Sequence, residues 1–223
     1  LADECLFAEV QKYPKKKAAL IRRMTRHSNT SMAYVKNRVL FFEGNTPEYV
    51  RRIGDDCFRR YYSGKIFQPM KSLVHLLAEN GFEIWVVTAS PEWIYQTFLS
   101  REFGIPETRI IGVKSIVREG RITGEILEPV PQDGGKRDLL ETFIQVQPLF
   151  AAGNSRGDVD MLEYSRMLSL IINPVEIAPK GGESLAGYAR NRGWLIEKIR
   201  DVPSISDVPV SREFGIPPNP ENP

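Results

Sequence analysis

Gly153-Asn154-Ser155-Arg156-Gly157-Asp158-Val159-Asp160-Met161-Leu162 is the stretch on which the reading of this chain turns. It follows the apolar run Pro148 to Ala152 and precedes a second one, Met167 to Ile172. A short buried strand that ends in glycine, passes through acids and amides and enters a helix is how α/β sheets build sites. The polar groups fall at the carboxyl edge of the sheet, where helix N-termini also point. Oxygen ligands gathered there suit a hard cation such as Mg2+, which takes one or two carboxylates and keeps several waters. An ordinary turn in which Asn154 and Asp158 merely cap is the plainer alternative.

Two stretches upstream fit the same kind of site. In Glu83-Ile84-Trp85-Val86-Val87-Thr88-Ala89-Ser90-Pro91-Glu92-Trp93 an apolar strand stops on a hydroxyl residue, and Pro91 with Glu92 opens a helix running to Gly104. Proline suits a first helical turn and glutamate suits the positive helix end. A hydroxyl beside free backbone N–H groups at such an end makes a phosphate cradle. Ser90 also suits a simple N-cap, whereas Thr88 sits on the strand tip itself. Further on, Asp133-Gly134-Gly135-Lys136-Arg137 leads into a helix with Leu139, Leu140, Phe143 and Ile144 on its apolar face. Lys136 is poorly placed for the helix dipole, which favours cations at the other end. A nearby phosphate would account for it, with two glycines letting the backbone come close. A solvated lysine is the alternative.

Thr88, Lys136 and Asn154 with Asp158, in that order on successive strand ends, resemble the haloacid dehalogenase superfamily of phosphohydrolases, and within it the phosphoserine-phosphatase-like branch. The resemblance spans roughly residues 1–175. It implies that Thr88, with Ala89 and Ser90, binds the transferring phosphoryl group, and that Lys136 neutralises the phosphate and the nucleophile. Asn154 and Asp158 would hold Mg2+, with Asp160 a weaker candidate. Asn154 stands where the family more often has an acid; its amide oxygen can coordinate Mg2+ but brings no charge.

The family's first motif, an apolar strand followed by Asp-x-Asp-x-Thr, is missing. Its leading Asp is the nucleophile and its second the general acid/base. Leu1 reads as the residue just past that motif, and Asp3 and Glu4 have no apolar strand before them. The expectation is a chain that lacks a short N-terminal piece and is inactive without it.

Composition agrees with a folded α/β chain. Of 223 residues, 42% are hydrophobic and 26% charged, as in globular proteins. No apolar run approaches the roughly 20 residues that span a bilayer, so no membrane partner is expected. The only cysteines, Cys5 and Cys57, lack metal-ligand spacing, which makes a reducing cytoplasm the default expectation. His27 and His75 are too few for a zinc site, and His75, on the apolar stretch Leu73 to Leu77, reads as a packing residue.

Along the chain, residues 1–66 have a helical pattern: Cys5 to Arg26, Ser31 to Phe42 and Pro47 to Tyr62, with Thr46-Pro47-Glu48 as a helix start. This segment looks like the helical cap the family inserts. It holds 14 Lys or Arg against 7 Asp or Glu although the whole chain is only +2, so it would form a positive lid for an anion. A solvated helical face is the alternative. Nucleic acid is not an expected partner, since aromatic residues are not interleaved with the bases in a recognisable module. Residues 67–200 alternate strand and helix, predicting a Rossmann-like parallel sheet with helices on both faces. Within them Ser115 to Ile126 reads as a hairpin turning at Glu119-Gly120. Residues 201–223 form a Pro-rich tail, which repeats Ser100-Arg101-Glu102-Phe103-Gly104-Ile105-Pro106 at Ser211 to Pro217. The resulting expectation is a Mg2+-dependent phosphatase for a small phosphorylated metabolite. A phosphotransferase of the same fold and a non-catalytic phosphate-binding protein are the alternatives. Oligomeric state is not legible.

Overall fold

The computed structural model describes residues 31–202. The helix expected over Cys5 to Arg26 and nearly all of the Pro-rich tail lie outside them. The described residues fall into two units, 31–128 with 201–202, and Pro129–Arg200.

The first unit begins with α1 (Met32–Val39), whose cap Ser31 accepts the Tyr34 N–H at 3.2 Å, and continues into a short 3-10 turn, Leu40–Phe42. Helix α2 (Pro47–Tyr61) starts where the sequence placed it. Thr46 accepts the Tyr49 N–H at 3.2 Å, Pro47 needs no partner in the first turn, and Glu48 faces the positive helix end. Helix α3 (Gln68–Glu79) then leads to β1 (Val86–Pro91) and α4 (Glu92–Phe103), which ends on Gly104 in the left-handed region at φ 70°. Strands β2 (Ile110–Arg118) and β3 (Arg121–Leu127) form the expected hairpin. Glu119 and Gly120 both have positive φ, 50° and 71°, as a tight two-residue turn requires.

β1 pairs parallel with β2, and β2 antiparallel with β3. The core of this unit is Tyr34, Phe41, Phe42, Val50, Ile53, Cys57, Trp93, Ile94 and Ile122. Helices α2 and α4 meet at Gly54, where any Cβ would overlap the Ile94 carbonyl. One turn on, Phe58 stacks on Phe98 with ring centroids 4.4 Å apart. Burying each such ring contributes about 1.5–3 kcal/mol. Helix α3 has no fully buried residue, and His75 is exposed. Its expected packing role does not hold, because the half-buried Leu73, Val74 and Leu77 take the inward positions.

The second unit is built from α5 (Gly134–Leu139), β4 (Phe150–Gly153), α6 (Val159–Glu163), β5 (Leu168–Ile172), α7 (Leu185–Asn191) and β6 (Leu195–Glu197). Helix α5 continues as a π-helical turn, Leu140–Ile144, closed by Gln145 at φ 57°. The three strands are parallel in the order β4-β5-β6. Leu170, Ile171 and Ile172 are buried in succession, the continuous apolar run of a strand covered on both faces. Ala151, Leu162, Ile171, Leu185 and Ala189 make the core.

The fold class is therefore α/β with parallel strands and intervening helices, as the periodicity predicted. The strands are grouped as two three-stranded sheets, one of which ends in an antiparallel hairpin strand. Among the described residues no helix is long and apolar enough to cross a membrane.

Candidate active site

The strand expected to stop at Thr88 instead continues through Ala89 and Ser90, and β1 runs on to Pro91. The ladder with β2 nevertheless breaks here. Val87 pairs with Ile111 and Pro91 with Val113, so three residues of β1 stand opposite Gly112 alone. A bulge of this kind takes backbone groups out of the ladder and re-aims them, and bulges recur beside active sites. The Ser90 N–H donates to Thr88 Oγ1 at 3.3 Å. The hydroxyl hydrogen of Thr88 is thereby left to donate elsewhere. Ser90 is buried and does not cap α4, whose cap is Pro91 without a side-chain bond.

Sequence reasoning missed Arg38. It lies on α1, 51 residues before the bulge, and is 8% exposed. Its Nη2 donates to the Ala89 carbonyl at 2.9 Å, which brings a guanidinium to the bulge from the helical segment. Only the alternation of Val35, Arg38 and Val39 on one helical face could have marked it as inward-pointing.

In the second unit, Lys136, Asn154 and Asp158 come together. Asp158 is 5% exposed, and its carboxylate accepts four hydrogen bonds. Oδ1 accepts from the Lys136 ammonium, while Oδ2 accepts the N–H groups of Asn154 and Ser155 and the Ser155 hydroxyl, each at 2.9 Å. Burial pushes the Asp158 carboxyl up, but the adjacent Lys136 charge and bond and the two N–H groups outweigh it and hold the pKa below the ordinary carboxylate value. The strand end permits this only because residue 153 is glycine. A Cβ there would stand 2.5 Å from the Asp158 Cβ and 2.7 Å from its Cγ.

The two glycines before Lys136 differ. A Cβ on Gly134 would meet nothing within 4 Å, whereas one on Gly135 would overlap the Val130 carbonyl. Gly135 thus serves a close approach of the chain to itself, which the sequence reading had ascribed to a ligand. Asp133 precedes them at φ 50°, a positive φ uncommon for a non-glycine residue.

Parallel strand ends, a bulge with a hydroxyl, and a buried lysine held by the acid after a Gly-Asn turn are now in place. Residues 3–163 match the haloacid dehalogenase-like hydrolases. The chain belongs to that family.

Haloacid dehalogenase-like relatives include the phosphoserine phosphatase SerB1 of Mycobacterium tuberculosis, 26% identical over 177 residues, which cover 78% of this chain and 54% of the relative. The chain spans about half the length of the curated relatives it matches. Two solved structures share the fold. One is a protein of unknown function from Bordetella pertussis Tohama I, with a TM-score of 0.67 and 18% identity, covering 87% of this chain and 91% of that one. The other is a phospho-aspartyl intermediate analogue of phosphoserine phosphatase, with a TM-score of 0.51 and 15% identity, covering 89% and 86%.

Haloacid dehalogenase-like hydrolases typically use Mg2+. Among the described residues no group of three or more His, Cys, Asp or Glu side chains is placed to hold a metal. Asn154 is exposed, and its amide oxygen is a ligand Mg2+ accepts. Asp158, bonded to the Asn154 N–H, supplies negative charge beside it. That pair fits a Mg2+ that keeps most of its waters; it does not fit one stripped of them.

Proposed function

We propose that this chain provides the phosphate-binding and metal-supporting residues of a Mg2+-dependent phosphatase of the phosphoserine-phosphatase-like branch, acting on a small phosphorylated metabolite. The observation that carries the reading is the buried Lys136–Asp158 pair on the Gly153-Asn154 turn. Burying an ion pair costs several kcal/mol per ion in desolvation, roughly what the attraction returns, so stability alone does not explain it. A fixed cation for a phosphoryl group does.

In this reading Lys136 neutralises charge that develops on the phosphoryl oxygens, and Asp158 keeps the ammonium in place without reorganisation. The Thr88 hydroxyl donates to a phosphoryl oxygen, as does the Ala89 N–H, with Ser90 shaping the bulge. Arg38 attracts an anionic group of the substrate, and the excess positive charge of residues 1–66, the expected cap segment, adds to that attraction. Mg2+, held by Asn154 and Asp158 with water, would supply charge neutralisation and orientation when bound. The reaction is two-step transfer through an aspartyl-phosphate and then to water. The nucleophile is not assigned to a residue of this chain: its one Asp-x-Asp, Asp158-Val159-Asp160, lies past the Gly153–Ser155 turn, and its first carboxylate is bonded to Lys136.

The test is orthophosphate release by the full-length gene product from a panel of phosphomonoesters with Mg2+, repeated with an alcohol acceptor. Release to water supports the reading. Transfer to the alcohol makes the protein a phosphotransferase, and orthophosphate binding without turnover makes it a binding protein. Absence of both binding and turnover overturns the assignment.

A further inference from the structure

Beside the Thr88–Ser90 bulge stand two charged groups with no role in the reaction described so far, the Glu92 carboxylate and the Lys114 ammonium. Glu92 is the first residue of α4 and only 6% exposed. Its Oε2 accepts from Lys114 Nζ at 2.7 Å and from the Gly112 N–H at 3.4 Å. The helix dipole would favour Glu92 just as well in solvent, so its burial needs another cause. Both donors lie on β2, the strand against which β1 bulges.

Gly112 is the β2 residue opposite the bulge. A Cβ there would overlap the Ser90 carbonyl and come within 2.8 Å of the Glu92 N and Cα. Residues 90–92 are thus pressed against β2 at Gly112 and tied to it by the Glu92 carboxylate, at Gly112 itself and at Lys114 two residues on. Arg38 holds the Ala89 carbonyl from α1. A bulge of three residues has more backbone freedom than a paired strand. Its N–H groups point one way only if both of its ends are fixed.

We propose that Glu92 and Lys114 are positioning residues for the phosphate cradle: by tying the start of α4 to β2, they set the direction of the Thr88 hydroxyl and of the N–H groups of the bulge. This rests on the phosphatase reading of Thr88 to Ser90.

The experiment measures orthophosphate affinity by calorimetry, KM for a turned-over phosphoester and the thermal midpoint, all on the full-length gene product. The variants are Glu92→Gln, Lys114→Met and the double variant Glu92→Leu/Lys114→Met. Each single variant is expected to weaken orthophosphate binding and raise KM about tenfold or more, since small misplacements of binding groups are costly. The double variant, with both charges replaced by apolar groups of similar length, is expected to melt near the wild type and still bind phosphate weakly. A folded variant that binds orthophosphate as tightly as the wild type overturns the proposal. If Glu92→Gln does not fold, the double variant decides, and Lys114→Met decides if neither does. Failure of the wild type itself to bind orthophosphate sinks the phosphatase reading instead, so the two failures are told apart.

Discussion

Lys136 and Asp158 form an ion pair whose side chains are only 11% and 7% exposed. The lysine comes from the first turn of α5 and the acid from the turn after β4, 22 residues later. One carboxylate thereby organises two things at once. Oδ1 holds the ammonium, and Oδ2 closes the Asn154–Ser155 loop. Removal of either partner should therefore affect both the loop and the cation.

Lys136→Met is expected to lower kcat of the full-length enzyme by about 100-fold or more, the loss typical of one preorganised electrostatic group. It also leaves Asp158 buried without its partner, which costs about 3–5 kcal/mol. Adding Asp158→Asn should recover most of that stability and none of the rate. Initial rates and urea unfolding on the same samples check both halves. Recovery of the rate by the double variant would remove Lys136 from the chemistry.

Folding lowers the Asp158 pKa, so the unfolded chain binds that proton more readily than the folded one. The stability this group contributes is fully present above about pH 4, the ordinary carboxylate value, and is lost as pH falls through the lower folded value. Urea unfolding from about pH 6 down to pH 3 should show a steeper decline in the wild type than in Asp158→Asn. Glu176, whose pKa is also lowered, by bonds from Lys198 and Arg190, acts equally in both proteins, so the difference isolates Asp158. Parallel curves would contradict the assignment.

Thr88→Val removes a hydroxyl that would donate to a charged oxygen, and keeps the shape. A hydrogen bond to a charged group contributes about 1.5–3 kcal/mol, so kcat/KM should fall by roughly 10- to 150-fold. Thermal stability should fall only modestly, by about 1–3 kcal/mol, because the variant also removes the acceptor of the Ser90 N–H. An unaltered kcat/KM would mean that the hydroxyl does not touch the substrate.

Asn154→Asp adds the negative charge the family more often carries at this position. Half-activation should shift to about tenfold lower Mg2+, within the range that metal-site changes produce. Titration of activity with Mg2+ after chelation reads this directly. Unchanged activation would place the metal away from residue 154.

The adjacent glycines 134 and 135 should respond in opposite ways. Gly134→Ala has open space and trades a flexible residue for a helix former, a gain of about 0.5–1 kcal/mol. Gly135→Ala drives a methyl into the Val130 carbonyl and should cost about 1–3 kcal/mol. Melting curves of the two variants, side by side, are sufficient.

The features readable in advance were those determined within a few residues of chain. Thr46-Pro47-Glu48 starts a helix because its cap, ring and charge act on their own first turn. Glu119-Gly120 turns a hairpin because the turn needs two positive φ angles. The Lys136 and Asp158 positions were visible as polar residues at strand ends. Their pairing was not, because 22 residues separate them. Nor was the bulge at Thr88, which depends on Gly112 of the neighbouring strand, or the burial of Arg38, which depends on α1 lying against β1.

By itself, then, the order of residues determined the α/β class, the family resemblance and the succession of strand ends that bear polar groups. Periodicity, capping and turn chemistry are short-range and leave a record in the chain. Tertiary structure alone decided which of those groups meet. It brought Asp158 to Lys136, made Gly112 and Gly153 obligatory, and joined Glu92 to Lys114 beside the bulge. Contacts of that kind are set by how elements pack, and packing pairs residues whose distance in sequence says nothing of their distance in space.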